Sequence, residues 1–198
     1  MDKLKFGLFD IFAYTIPGVF VVFIFYLLTV DLSNSVLNCI EINIKIVSGI
    51  SFNVILLTIF ISYILGFALH FLGYNYFNLV GKKIFRNKIK GKEQSLSTNE
   101  KKFVLVRHYS KENFVFVEQW YTFRGMSFNL SLVFLFIGIV LLIKMIIILQ
   151  FRLDWILVTL GFLLLSLVTL RRAITFHRWS HETLDEAINS LDLENKNI

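Results

Sequence analysis

The sequence predicts an all-α integral membrane protein with four transmembrane helices and a basic cytoplasmic module between the second and third. Three observations lead to this fold class. Hydrophobic residues make up 56% of the 198 positions, and only one residue is proline. The mean hydropathy of +0.69 lies well above that of ordinary soluble domains. One long polar stretch, residues 74–127, separates two strongly apolar halves of the chain.

Four stretches are long and apolar enough to cross a hydrocarbon core of roughly 30 Å, which takes about 20 residues. They are Ile11–Val30, Phe52–Gly73, Phe128–Leu149 and Trp155–Leu170. The fourth is short unless Arg171 and Arg172 snorkel to the interface. The predicted organisation is an N-terminal membrane hairpin (1–73), the basic module (74–127), a C-terminal membrane hairpin (128–170) and a tail (171–198).

The distribution of basic residues predicts the orientation. The module holds eleven of the twenty Lys and Arg residues against four acids, a balance of +7. Lys3 and Lys5 precede the first span, and Arg171, Arg172 and Arg178 follow the fourth, whereas each remaining connection has one base. Because cytoplasmic loops are enriched in Lys and Arg, we expect the module and both termini in the cytoplasm of a bacterial cell, with the spans in the inner membrane.

The first apolar run begins after a stretch, residues 1–10, that predicts a short interfacial helix. Asp10 and Pro17 interrupt the run, so we do not expect a cleavable signal peptide. Pro17 predicts a kink, because it leaves a carbonyl without its helical partner, and Thr15 is expected to help satisfy that group. The kink is either a gating hinge or a packing feature, and we retain Pro17 as a gating candidate.

The connection after the first span alternates apolar and polar residues from Val36 to Val47. This period of two is typical of a strand, which would pair with a second copy of itself or lie on the bilayer. Cys39, at its start, is the only cysteine, so we expect a free thiol rather than an intersubunit disulfide.

The second span contains small residues that favour close helix packing in lipid. These are Ser62, Gly66, Ala68 and Gly73. His70 lies near the end of the same span and is expected at the interface with the headgroups.

The module and the tail predict three helical segments. A capping-box pattern, Ser97 to Glu100, predicts a helix from Thr98 to Tyr109, and Ser110 is an N-cap candidate for the next helix. No proline occurs from Lys111 to Leu149, and a helix of that length would reach roughly 58 Å, so the third span should project into the cytoplasm. The fourth is expected to continue through residues 171–191, ending in an acidic segment that could neutralise the module.

Basic and aromatic residues alternate in the module, a pattern typical of proteins that bind polyanions. Two kinds of ligand fit this pattern. One is a nucleotide or oligonucleotide, and the other is the anionic lipid headgroup, the default partner, since the topology rule alone makes a cytoplasmic loop basic. The candidate ligand-binding residues are Lys82, Lys83, Arg86, Lys88, Lys90, Arg107, His108 and Lys111.

Two further basic residues lie at or within predicted spans. Lys144 is the one ionisable residue inside a span, and such residues are costly and often functional. It either lines a pore in an oligomer or snorkels to the nearby interface. Arg124 lies where the third span enters the membrane, and with Pro17 it is the second gating candidate.

Motifs for catalysis are absent from the sequence. There is no P-loop, Gly-rich dinucleotide turn, nucleophile elbow or cysteine cluster, so we do not expect an enzyme. His177 and His181 have an i, i+4 spacing that suits a metal, with a third ligand from His108, Glu182 or Asp185. Arg178 opposes a cation there, so we expect no metal and no cofactor.

Three segments resemble the small four-span membrane effectors of bacterial antiphage systems. They are Phe9-Asp10-Ile11-Phe12-Ala13-Tyr14-Thr15-Ile16-Pro17-Gly18, Ser62-Tyr63-Ile64-Leu65-Gly66 and Tyr121-Thr122-Phe123-Arg124-Gly125. Such effectors occur in cyclic-oligonucleotide defence (CBASS) and in the nucleotidyltransferase-linked Hailong system, and the chain resembles the Kiwa membrane component less closely. The resemblance implies an oligomeric pore or membrane-disrupting effector controlled by a nucleotide signal.

We therefore expect a homo-oligomeric channel or membrane-disrupting effector gated at the basic module. The alternative is a non-conducting sensor or scaffold that recruits a cytoplasmic partner protein through the module and the tail.

Overall fold

The computed structural model describes the backbone of residues 2–85 and 96–191, and the side chains of residues 11–45, 48–85 and 100–191. This part of the chain is helical and contains no strand, which confirms the all-α fold class. The helices are α1 (Asp2–Thr29), α2 (Val36–Ser48), α3 (Phe52–Tyr76), α4 (Leu96–Tyr109), α5 (Lys111–Ile148) and α6 (Leu153–Ser190). A π-helical turn, Phe77–Gly81, and a short helix, Lys82–Ile84, extend α3.

Four of the helices, α1, α3, α5 and α6, are long and apolar enough to cross a membrane, which makes this a multi-pass membrane protein. Helices α5 and α6 have 38 residues each. At 1.5 Å per residue each is about 57 Å long, nearly twice the hydrocarbon thickness. Both helices therefore run without interruption out of the membrane, as the sequence predicted.

The projecting ends of α5 and α6 hold α4 against them through a small apolar core. Its buried side chains are Val106, Val117, Leu184, Ala187 and Ile188. We call this end of the molecule the module end and the opposite end, at the α5–α6 turn, the far end. Helix α4 begins two residues before the predicted Thr98, and Ser110 makes no side-chain capping bond to α5.

The crossing of α1 and α3 is unusually close because two glycines face backbone of the other helix. A Cβ on Gly18 would lie 1.7 Å from the carbonyl oxygen of Ser62, and one on Gly66 would lie 1.9 Å from that of Tyr14. Small residues permit this approach in lipid, where no hydrophobic effect drives helices together. The expected role of Ser62 and Gly66 in packing agrees with this contact, whereas Ala68 is exposed.

Helices α5 and α6 are joined by a reciprocal pair of serine hydrogen bonds. Ser131 Oγ donates to the Ser166 carbonyl at 2.7 Å, and Ser166 Oγ donates to the Ser131 carbonyl at 2.8 Å. Further along, Gly138 packs against Leu163. Around them, apolar side chains of α1, α5 and α6 fill the bundle, among them Leu27, Leu132, Val133, Phe134, Ile137, Leu141 and Trp155.

The prediction of a strand at Val36–Val47 is wrong: Val36–Ser48 is the helix α2. The backbone N–H and C=O groups of a strand need a neighbouring strand, whereas a helix satisfies them within its own segment. In apolar surroundings these groups must be satisfied within the protein. The alternating isoleucines are consequently spread around the helix, and Ile40, Ile42 and Ile44 are exposed. Cys39 is a half-buried free thiol beside the main core.

Helix α1 continues through Pro17, so the expected interfacial helix and the first span are one helix. The predicted role of Thr15 is wrong, because its buried hydroxyl has no hydrogen-bond partner among the described residues. Pro17 is itself buried at the level of the α1–α3 crossing. The proline therefore lies where α1 packs most closely, and its part in gating remains a prediction.

The close crossing predicts that Gly66→Ala destabilises the protein while Gly161→Ala does not. The added methyl of the first variant meets the Tyr14 carbonyl, whereas nothing lies within 4 Å of a Cβ at Gly161. We expect a loss of about 1–3 kcal/mol for Gly66→Ala, as for other overpacked sites. Thermal unfolding of both variants in the same detergent measures the difference, and equal stability would contradict the described crossing.

Candidate functional site at the module end of the spans

Aromatic side chains mark where α6 leaves the hydrocarbon. Trp120 of α5 stacks on Phe176 with ring centroids 5.8 Å apart and meets Trp179 edge-on at 5.1 Å. Trp155, at the far end of α6, lies about 36 Å from Trp179 along the helix axis. Tryptophan is enriched at both membrane interfaces, and this separation slightly exceeds a hydrocarbon core of roughly 30 Å. The Trp120 cluster therefore indicates the interface at the module end.

Arg124 lies between α5 and α6 at this level. Its Nη1 atom is 3.0 Å from Nδ1 of His177, and its guanidinium carbon lies 4.4 Å from the ring centroid of Tyr121. A guanidinium only donates hydrogen bonds, so His177 Nδ1 is the acceptor and the imidazole is neutral with its proton on Nε2. Arg124 thus joins the two long helices through a contact that requires a neutral His177.

The charge of Arg124 has no carboxylate partner among the described residues, whose ion pairs join other side chains. Its Nε atom is buried and makes no hydrogen bond there. An unsatisfied buried donor costs about 1–3 kcal/mol, and an unpaired buried charge costs more. The sequence identified Arg124 as an interfacial base but gave no sign that it would be enclosed.

A cavity of about 240 Å³ adjoins Arg124. It lies between α1, α3 and α5, and its lining includes Tyr14, His70, Tyr121, Thr122, Arg124 and Gly125. Phe128 and Ala13 close its apolar side. We call this space the Arg124 cavity. It combines a cationic fork, hydroxyl groups and an imidazole at the level of the aromatic cluster.

Two side chains, whose mutual contact the sequence did not indicate, support one wall of the cavity. His70 packs edge-on against Tyr14 at 5.5 Å, and its Nδ1 is 3.4 Å from Asn129 Nδ2. Asn129 is fully buried, and its Oδ1 has no hydrogen-bond partner in the described part of the chain. The sequence signal for Asn129 was an amide at the start of an apolar run, and its partner came from a different helix.

The predicted phosphate-binding residues that the structure describes lie on several elements, and their joint role as one site remains a prediction. Lys82 and Lys83 follow the π-helical turn, and Lys82 is near enough to His177 for its charge to act there. Arg107 instead lies over the ring of Phe114 at 5.6 Å, which is about 15 Å along α5 from Arg124. His108 packs on Tyr109, and Lys111 begins α5. The other three, Arg86, Lys88 and Lys90, lie outside the described residues.

One basic residue of the module pairs with the acidic tail. Lys102 of α4 donates to Asp185 of α6 at 2.6 Å, and its side chain is only 10% exposed. The acidic segment could neutralise the module or be a solvated helix end, and this contact pairs one base of the module with one acid of the tail within one subunit. It also removes Asp185 from the set of candidate metal ligands.

The histidine pair proposed for a metal has other contacts. The rings of His177 and His181 meet edge-on at 4.6 Å, and His177 accepts a hydrogen bond from Arg124. Glu182 pairs with Arg178. Within the described residues no group of three or more His, Cys, Asp or Glu side chains is placed to hold a metal ion.

Lys144 binds carbonyl groups at the C-terminal end of α1. Its ammonium donates to the carbonyls of Leu27 and Leu28, both at 2.8 Å, and to that of Val30. Carbonyls at a helix C-terminus lack partners within the helix and attract a cation, which explains a lysine at this depth. Nearby, hydrogen bonds from the backbone N–H and hydroxyl of Ser33 lower the pKa of Asp31. All three of the N–H donors of Lys144 are used within the subunit. The pore assignment of Lys144 remains a prediction.

No family model, curated protein or solved structure matches this chain. The resemblance to antiphage effectors therefore remains a prediction based on three short segments.

The contacts of Lys144 predict that Lys144→Met lowers stability by about 1–3 kcal/mol, because three carbonyls lose their donor. Lys45→Met, an exposed lysine on α2, is the control and should change little. Thermal unfolding in detergent tests this, alongside anion flux in liposomes. Altered anion selectivity with unchanged stability would instead support a pore-lining lysine.

The ion pair between α4 and α6 predicts that Asp185→Asn costs about 1–2 kcal/mol, since it leaves a nearly buried ammonium without its partner. The loss of stability is limited because the side chain of Asp185 is 42% exposed. Glu182→Gln makes the same chemical change in an exposed i, i+4 pair and should cost no more than about 0.5 kcal/mol. Chemical denaturation of the two variants compares them directly, and equal effects would contradict a specific role for Lys102.

Proposed function

We propose that this chain is a subunit of an oligomeric membrane channel or membrane-disrupting effector whose state is set by an anionic signal at the module end. The observation that carries the proposal is the continuity of α5 and α6. Each helix is a span at one end and a wall of the module at the other. A change in how α4 packs is therefore transmitted to the spans without a flexible joint.

Helix α4 is a suitable element for such a change. It is attached by a small apolar cluster and by the Lys102–Asp185 pair, rather than by an extensive core. Arg107, His108 and Lys111 lie at its junction with α5. A nucleotide or oligonucleotide bound there would alter the charge balance that holds α4 to the tail.

Conduction in this proposal takes place between subunits. Within one subunit, fully buried apolar side chains such as Val133, Ile137 and Leu141 fill the space between the helices. Water and ions need a path that avoids such a core, and a ring of subunits provides one around its axis. The lipid-facing sides of α1 and α3 are free to form these contacts.

The cellular setting is part of the same proposal. The charge asymmetry supports an inner-membrane location with the module and both termini in the cytoplasm. A role in antiphage defence is supported only by the resemblance of the three segments. We propose no catalytic activity.

The filled interior of the subunit also favours a second candidate, a non-conducting sensor or scaffold. In this case the module and the acidic tail recruit a cytoplasmic protein, and the spans serve as an anchor. It predicts a stable partner that copurifies with the protein and a membrane that stays sealed.

Ion flux from liposomes containing the purified protein, with cyclic dinucleotides and short oligonucleotides as probes, tests the proposal. We expect one of these probes to switch the flux. Two charge-reversal variants, Lys82→Glu/Lys83→Glu and Arg107→Glu/Lys111→Glu, should separate the two halves of the basic surface. The variant that removes the binding residues should raise the probe concentration for half-maximal flux about tenfold or more. It should also reduce the slope of log affinity against log salt concentration by about two.

Lys45→Glu, which reverses a charge away from the module, is the matched control and should leave the response unchanged. A sealed membrane with every probe would favour the scaffold. A flux that neither variant alters would contradict gating at the module.

A further inference from the structure

We propose that the Arg124 cavity is a binding site for a phosphate group, entered at the membrane interface between α1, α3 and α5. The lining of this site contains none of the predicted phosphate-binding residues of the module, and the proposal does not depend on channel activity.

The first step of the argument is the state of Arg124. One nitrogen of its guanidinium is satisfied by His177, its face lies on Tyr121, and its buried Nε has no partner among the described residues. An anion in the adjoining cavity would compensate the charge and accept hydrogen bonds from the remaining N–H groups of the guanidinium.

Among the described residues around the cavity, none supplies a negative charge that would pair with Arg124. Among the described residues, the ionisable side chains that accompany Arg124 are His70, His177, Tyr14, Tyr74 and Tyr121, and none is an acid of the Asp or Glu type. His177 is already an acceptor for Arg124 and is neutral. We therefore assign the compensating negative charge to a bound molecule.

The chemistry of the lining selects phosphate among anions. A guanidinium offers parallel N–H donors that match two oxygens of a phosphate or carboxylate, and its weak hydration suits a partly buried pair. Tyr121 adds a hydroxyl group to the lining, which suits an anion with more than two acceptor oxygens. A volume of about 240 Å³ is several times the roughly 30 Å³ share of one water molecule in the liquid, so a polyatomic anion fits.

The position of the cavity agrees with this choice. Arg124 lies one helical turn before Phe128, the first residue of the predicted third span, and at the level of the Trp120 cluster. Phosphate groups of lipids are concentrated at this depth. Ala13 and Phe128 add apolar surface to the same lining.

Binding of defined lipids to the full-length protein in detergent, counted by native mass spectrometry, tests the proposal. The probes are phosphatidic acid, phosphatidylglycerol and diacylglycerol of equal chain length, the last having no phosphate. We expect both phospholipids to bind at least tenfold more tightly than diacylglycerol. Arg124→Gln should remove this preference, and Arg124→Lys, which keeps the charge but loses the fork, should weaken it severalfold.

Arg172→Gln is the matched control. Arg172 lies at the same interface and over the rings of Phe176 and Trp179, but it is exposed and does not line the cavity. We expect its phospholipid affinity to stay within about twofold of the unchanged protein. Should Arg124→Gln fail to fold, the comparison of phospholipid with diacylglycerol on the unchanged protein, together with Arg124→Lys, decides the question.

Competition with glycerol 3-phosphate distinguishes the two sources of phosphate. If glycerol 3-phosphate displaces the phospholipid, the site accepts soluble phosphate esters, and if it does not, the site is specific for lipid. Both results support a phosphate site. Equal binding of phospholipid and diacylglycerol would overturn it. So would a phospholipid preference that Arg124→Gln leaves undiminished or, where that variant does not fold, one that Arg124→Lys leaves undiminished.

Discussion

The structure depends on the requirement that backbone polar groups in hydrocarbon be satisfied within the protein. That requirement favours helices, and it leaves helix association to close packing and to a few polar contacts. The α1–α3 crossing uses the first means, since Gly18 and Gly66 allow backbone to approach backbone. The α5–α6 pair uses the second, with Ser131 and Ser166 exchanging hydrogen bonds. Both devices lie in spans whose remaining surface is apolar.

The two ends of the bundle solve a different problem, because charged groups occur there beside apolar helices. At the far end, Lys144 lies near the α1 C-terminus, where free carbonyls satisfy its ammonium. At the module end, Arg124 is held by His177 and Tyr121 but lacks a negative charge among the described residues. The first cation is accounted for by the fold itself. The second is not, and the proposal of a phosphate ligand at the module end rests on this difference.

The arrangement also connects two kinds of signal. A soluble anion at α4 would act on the projecting ends of α5 and α6, whereas a phosphate in the Arg124 cavity would act where α1, α3 and α5 meet. Because α5 belongs to both sites, occupation of one would be felt at the other through a rigid helix. Lipid composition would then set how readily the spans respond to the module.

The sequence by itself determined the fold class, the four apolar helices and the length of the last two, because hydropathy and the absence of proline depend only on local composition. It also placed α4 to within two residues. It was wrong at Val36–Val47, where alternation favoured a strand but the described residues contain no strand to pair with it. The position and surroundings of Arg124, Asn129 and Lys102 were decided only by tertiary structure, since each meets a partner from another helix. Such partners are set by how the helices cross and rotate, which no local pattern encodes.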